Sequence, residues 1–283
     1  MYFLLASFIF ALCTACAQQP GKIRLVVRGD DMGSSQAANE ASIVSYQKGF
    51  MKTIEVMVPC AWFPQAADML RENPGLDVGI HLVLTSEWET VKWRPLTYAP
   101  SLTDENGFFF PMIWPNKNYG EDRALKAKAW KLEEIEVEFR AQIEMGMRHI
   151  PQVSHLSCHM GCNDLDPAVN ALVKKLAQEY KLDIDLKAMG ISGVRFEGPK
   201  ATPQEKIDSF IAMLEKLKPG TYLFVEHPAY DNAEMRNTYH IGYEDVARDR
   251  EGVTQLFTSK VVMDKMKALG IEAISYADLK TAK

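Results

Sequence analysis

Several polar residues stand in this sequence at places where an apolar chain hosts them only at a cost. Asp30-Asp31 follows the run Ile23-Arg24-Leu25-Val26-Val27-Arg28, and His81 is set inside Gly79-Ile80-His81-Leu82. An imidazole in so apolar a stretch needs a partner to offset its desolvation. His155 and His159 lie four apart in Ser154-His155-Leu156-Ser157-Cys158-His159, and His227-Pro228 follows the apolar run Tyr222 to Val225. One aspartate and two histidines around a cation, with open positions for water, make a hydrolytic metal site. A free carboxylate beside it can take a proton, and a separate histidine can deliver one to a leaving group. Neighbouring side chains on an extended chain point opposite ways. One member of Asp30-Asp31 can therefore face a metal while the other handles protons. Each residue alone has a plainer reading: Asp-Asp as a solvated turn, His81 as a core histidine bonded to backbone. His149 and His240 lack such context and read as surface or helix-end residues.

The elements that must position these groups alternate strand and helix. Ile23–Arg28, Thr53–Val58, Leu76–Leu84, Gln152–Leu156, Gly193–Phe196, Thr221–Val225 and Ile271–Ser275 read as strands. Ala37–Gln47, Trp62–Arg71, Arg123–Met147, Pro167–Tyr180, Pro203–Leu217 and Val253–Leu269 read as helices. Repeated βα units build a parallel sheet with right-handed crossovers. No GxGxxG or GxxxxGK loop supports a nucleotide fold. The polar residues recur at strand ends, where barrel enzymes gather their catalytic groups. Between Ser86 and Tyr119 the pattern changes to three Trp, three Phe and several Pro without a sustained period. Such a loop usually covers a functional site. Its rings from Trp88 to Trp114 suit a stacking surface for a ligand, a hydrophobic plug over the barrel or an oligomer contact.

The 283 residues, 47% hydrophobic and 10% aromatic with a net charge of -5, exclude a solvated coil and argue against non-specific nucleic-acid binding. The first residues read as an export segment. Met1–Ala17 is apolar and uncharged, too short to span a bilayer comfortably, and ends in the small-residue phrase Ala15-Cys16-Ala17. The expectation is residues 1–21 as signal peptide and short linker, then one catalytic domain over 22–283. The product would be a periplasmic protein or a lipoprotein anchored at Cys16, and a homodimer is a further option. Cys60, Cys158 and Cys162 show no CxxC pair and read as buried thiols, with an oxidised pair open to an exported protein.

The phrases Asp30-Asp31-Met32-Gly33, Gly79-Ile80-His81-Leu82-Val83-Leu84-Thr85, Ser154 to His159 and Glu226-His227-Pro228 occur in the order and rough spacing of the YdjC-like (ChbG-type) carbohydrate deacetylases. Arg248-Asp249-Arg250-Glu251, Phe257-Thr258-Ser259 and Ile274 to Leu279 also resemble that family. The resemblance implies a distorted (β/α) barrel, TIM-barrel-like and similar to polysaccharide deacetylases. It implies removal of N-acetyl groups from amino sugars, and a divalent metal, Mg2+ or Zn2+, held by one Asp and two His. Carried over, Asp31 matches the metal aspartate, Asp30 the general base, His81 and His159 the metal histidines, and His227 the acid that protonates the amine. His155 matches a position lining the substrate site. Arg195, at a strand end, is a candidate for substrate oxygens. Ser157-Cys158-His159-Met160-Gly161 stands where the family has an Asp-Ser-His-x-His run, which removes a carboxylate and an imidazole near the metal. Met32 replaces a common Phe. Other readings are a metal-dependent phosphoesterase or amidase, a non-catalytic sugar-binding protein on the same barrel, and a ligand-free structural barrel.

Overall fold

The computed structural model describes residues 21–281. The expected export segment, with Cys13 and Cys16, lies outside the described residues. Among those described, no helix is long and apolar enough to cross a membrane.

Strands β1 (Ile23–Met32), β2 (Thr53–Val56), β3 (Asp77–Leu82), β4 (Val153–Cys158), β5 (Ser192–Gly193), β6 (Gly220–Glu226) and β7 (Ile271–Ile274) pair in parallel throughout. Their order is β4-β3-β2-β1-β6-β5. One flank of β1 takes β7 along Ile23 to Val26 and β2 from Arg28 onward. β4 and β5 end this path without pairing to each other among the described residues, and the sheet curls as a half-barrel in which β7 too keeps one side unpaired. Every residue of β2 and β3 is buried, as parallel strands covered on both faces require.

Helices α1 (Gln36–Gln47), α2 (Phe63–Glu72), α3 (Leu132–His149), α4 (Pro167–Glu179), α5 (Pro203–Lys216), α6 (Val246–Phe257), α7 (Lys260–Ala268) and α8 (Tyr276–Thr281) accompany the strands. Their starts are written locally. Ser35 caps α1, Asp166 precedes Pro167 in α4, and Thr202 with Glu205 forms a reciprocal capping box on α5. The core joins Val27, Ile54 and Ile80 of the sheet to Phe139 and Ile143 of α3. Phe210, Phe224 and Phe257 add an aromatic cluster in which Phe210 and Phe224 meet edge-on, with centroids 4.7 Å apart. Truncating such a fully buried phenyl to Ala costs about 3–5 kcal/mol.

Several boundaries differ from the pattern-based reading. β1 does not stop before Asp30-Asp31 but carries them, ending at Met32. α3 begins at Leu132 rather than Arg123. The intervening residues form short 3-10 turns because the Leu125 amide bonds the Met112 carbonyl at 2.9 Å, tying that stretch to the preceding loop. The last long helix is split into α6 and α7, and Ser259 caps the second by accepting the Val262 amide. The aromatic loop is mainly a plug. Trp93, Phe109 and Phe110 are buried in the core. Buried Glu138 of α3 accepts the Leu96 and Thr97 amides at 3.1 and 3.0 Å, fixing the loop in place.

Candidate metal centre

Asp30 and Asp31 reach the end of β1 through an irregularity. Pairing with β2 shifts between Gly29 and Met32, and Asp31 has φ 70. A non-glycine in the left-handed region carries about 1–3 kcal/mol of strain and persists only where the surroundings fix it. Here the fixing contact is Arg250 of α6, whose Nη2 donates to Asp31 Oδ2 at 2.8 Å, with both side chains buried. Asp30 approaches the same cavity as Asp31, and Arg28 grips both its oxygens, Nε to Oδ1 at 2.8 Å and Nη2 to Oδ2 at 2.9 Å.

His81, late in β3, and His159, just past β4, converge on Asp31. Ligand atoms of the three lie within 4.8 Å of one another, the one such grouping among the described residues. Asp31 Oδ1 is 3.7 Å from His81 Nε2 and 3.2 Å from His159 Nδ1, yet it has no hydrogen-bond partner although buried. The remaining ring nitrogens are occupied. His159 Nε2 meets Glu87 Oε2 at 3.1 Å, and His81 Nδ1 meets Ser157 Oγ at 2.6 Å. Metal-binding imidazoles characteristically have the far nitrogen fixed in this way. His227, after β6, brings Nε2 to 3.9 Å from Asp31 Oδ2.

The charges at the centre favour a cation. Asp30, Asp31, Glu55 and Glu87 oppose only the guanidiniums of Arg28 and Arg250 within this group, so negative charge is in excess. Burial raises the Asp31 pKa, but His227, Arg250 and His159 outweigh it and hold the carboxyl well below its ordinary value. Burial raises the Asp30 carboxyl, against the pull of Arg28 and His227. Burial together with His159 lowers His81 to about 3, leaving a neutral imidazole fit to be a ligand. Burial opposes charge on His159, but Glu87 and Asp31 prevail and lift it to about 10. A proton on His159 thus answers the negative charge that a metal ion would otherwise neutralise. The orphaned Asp31 oxygen, the two imidazoles aimed at it and this excess charge fit a divalent ion with nitrogen and oxygen ligands.

These groups share one wall of a cavity of about 1080 Å³, whose lining also includes Glu226, His227 and Tyr243. Asp30, Asp31, His81, His159 and His227 all face it. Two expected site residues do not. His155 is fully buried between Glu55 and the Tyr276 ring, stacked on the latter at 3.7 Å, so it cannot touch a substrate. Arg195 is exposed and lines a 410 Å³ cavity that adjoins the main one, the two sharing Lys200, Val225 and Glu226. His240, read as a surface residue, instead lines the main cavity and stacks on Trp88 at 5.6 Å. Trp88 is itself buried, with the Arg250 guanidinium over its ring at 5.2 Å, so it is no open sugar platform. Cys60, Cys158 and Cys162 are all free thiols, and Cys158 is half-buried on the cavity wall.

Sequence reasoning passed over Arg28, Glu55, Glu87 and Arg250. Arg28 and Glu55 carried the same signal as His81, a charged group inside an apolar strand that must find a partner. Glu87 gave no such signal, and Arg250 entered only as part of the charged phrase Arg248-Asp249-Arg250-Glu251, with no role attached to it.

Fold and site together define a parallel half-barrel with a candidate carboxylate–histidine cation site at its strand ends. The family model described as YdjC-like protein matches residues 24–268, and the chain belongs to that family. A carbohydrate deacetylase of Thermus thermophilus is 33% identical over 237 residues, covering 76% of this chain and 81% of the relative. Carbohydrate deacetylase 1 of Listeria innocua is 27% identical over 277 residues, covering 91% of this chain and 100% of the relative. A crystal structure of an Enterococcus faecalis protein, one proposed to cleave cellobiose phosphate, shares the fold. Its TM-score is 0.70 at 20% identity, with 91% of this chain and 99% of that one covered.

Proposed function

We propose that this protein is a metal-dependent carbohydrate deacetylase that hydrolyses the acetamide of an N-acetylated amino sugar. The carrying observation is the meeting of Asp31 Oδ1, His81 Nε2 and His159 Nδ1 at one cavity wall, with Asp30 and His227 beside them. The names of the relatives point to the same chemistry. Asp31, His81 and His159 would hold the ion, and two imidazoles with one carboxylate suit Zn2+ better than Mg2+. When bound, the ion supplies the Lewis acidity that polarises the acetyl carbonyl and eases deprotonation of water.

The chain's own groups do the rest. Asp30 lies 3.8 Å from His81 Nε2 and takes the water proton as general base. Its raised pKa makes it a better proton acceptor than an ordinary aspartate, and Arg28 holds its carboxylate plane. His227, half-buried at the cavity wall, donates a proton to the departing amine. Burial lowers its pKa, which makes its imidazolium a readier donor. Arg250 fixes Asp31 and leaves Oδ1 as its free oxygen.

The test is product release from a panel of N-acetylglucosamine oligomers and phosphate esters, with metal content measured on the same preparation. Acetate release that depends on the metal supports the reading. Phosphate release, or metal binding without any acetate released, contradicts it.

A further inference from the structure

Behind His81, away from the cavity, a line of polar groups crosses β3, β4 and β2. Glu55 and His155 are fully buried, with Glu55 Oε1 2.6 Å from His155 Nε2. Ser157 donates to Glu55 Oε2 in a short hydrogen bond, and its Oγ lies 2.6 Å from His81 Nδ1. The direction of these bonds follows from proton counting. An ionised carboxylate only accepts, and a serine hydroxyl has one proton to give. Ser157 gives that proton to Glu55, so its lone pair accepts from His81 Nδ1–H. His81 is then held in the tautomer whose bare Nε2 looks at Asp31 Oδ1, 3.7 Å away.

We propose that Glu55, acting through the Ser157 hydroxyl, is a positioning residue for the cation site. It fixes the tautomer and ring orientation of His81 from the neighbouring strand β2. The inference rests on the metal-dependent reading above, and three features behind the relay serve it. His155 donates to Glu55, takes the Ser154 hydroxyl on Nδ1 at 2.7 Å, and is clamped by the Tyr276 ring. Arg28 Nε stands 3.9 Å from Glu55 Oε1 and adds positive charge. His155 and Arg28 together overcome burial and keep the Glu55 carboxyl below its ordinary value, hence ionised. Gly79 completes the arrangement, since a Cβ there would overlap both Glu55 Oε2 and His155 Nε2. The buried His155 thus acts on the site from behind Glu55.

The experiment uses the full chain and two readouts. Long-range 15N–1H correlation spectra of the metal-free protein report the His81 tautomer, and competition against a chelator gives the Zn2+ affinity. Wild type and Ser157→Thr, which keeps the hydroxyl, are expected to show the Nδ1–H form and equal affinity. Ser157→Ala is expected to lose the single tautomer and to bind Zn2+ about 10–100-fold more weakly. Glu55→Gln is expected to weaken binding as well, and this effect should vanish in the Ser157→Ala background. Unchanged tautomer and affinity in Ser157→Ala, or additive losses in the double variant, overturn the relay. If Glu55→Gln does not fold, the Ser157→Ala and Ser157→Thr pair decides it alone, because Ser157 is only partly buried. Wild-type protein that binds no Zn2+ overturns the metal reading instead, and the His81 tautomer in Ser157→Ala still decides the hydrogen-bond relay.

Discussion

Loading this centre with a metal ion should expel one proton, and the structure says from where. In the metal-free protein His159 is lifted to about 10 against burial by Glu87 and Asp31. Asp31 is ionised far below neutrality, and His81, at about 3, is already neutral. At working pH the ligand set therefore carries one excess proton, on His159, and a ligating imidazole must give it up. Below the His159 value the apparent affinity should tighten about tenfold per pH unit, because each unit removes one decade of proton competition. At about pH 7, roughly three units below that value, the penalty is roughly 1000-fold, or about 4 kcal/mol. Chelator-competition titrations between about pH 6 and 8 give the slope. Calorimetry in buffers of different protonation enthalpy counts the protons, with about one expected per ion. Glu87→Gln removes the largest charge contribution to the shift and should flatten the slope. A pH-independent affinity across that range, or no proton released, would refute the reasoning.

Four substitutions probe the other roles. Asp30→Asn should lower kcat about 10²–10⁴-fold, the usual worth of a general base, with metal content unchanged; steady-state kinetics with elemental analysis checks both halves. His81→Ala and His159→Ala should each purify without the stoichiometric metal expected of wild type, because each removes one of the three proposed ligands. His155→Ala should act on stability rather than on substrate binding. It removes one of the two side-chain hydrogen bonds that hold the fully buried Glu55 carboxylate, a loss of about 1–3 kcal/mol readable from denaturant midpoints. A raised KM at unchanged stability would return His155 to the substrate side.

What could be read from the sequence was whatever repeats locally. The βα alternation and the polar residues at strand ends come from short-range patterns, and Asp31, His81 and His159 do gather at one place. The helix at Leu132 and the break at Ser259 depended on which backbone groups a neighbouring segment would satisfy, which no local pattern records. The same limit hid the supporting shell. Glu55 sits in β2 while the imidazoles it serves are on β3 and β4, so only the parallel register reveals their meeting. His155 had the right type and spacing for a site residue and still faces the interior beside Ser157, both meeting Glu55 from one side of β4, whereas His159 lies past the end of the strand and escapes its alternation. The aromatic loop looked like a sugar platform because ring content alone does not distinguish a plug from a binding surface.

The central claim is that Asp31, His81 and His159 share one metal ion. Anomalous diffraction at the zinc edge, on crystals of Zn2+-loaded protein, tests it most directly. The account requires one strong peak about 2 Å from Asp31 Oδ1, His81 Nε2 and His159 Nδ1. A peak on the Glu87 side of His159, at the thiols, or nowhere in the cavity would contradict it.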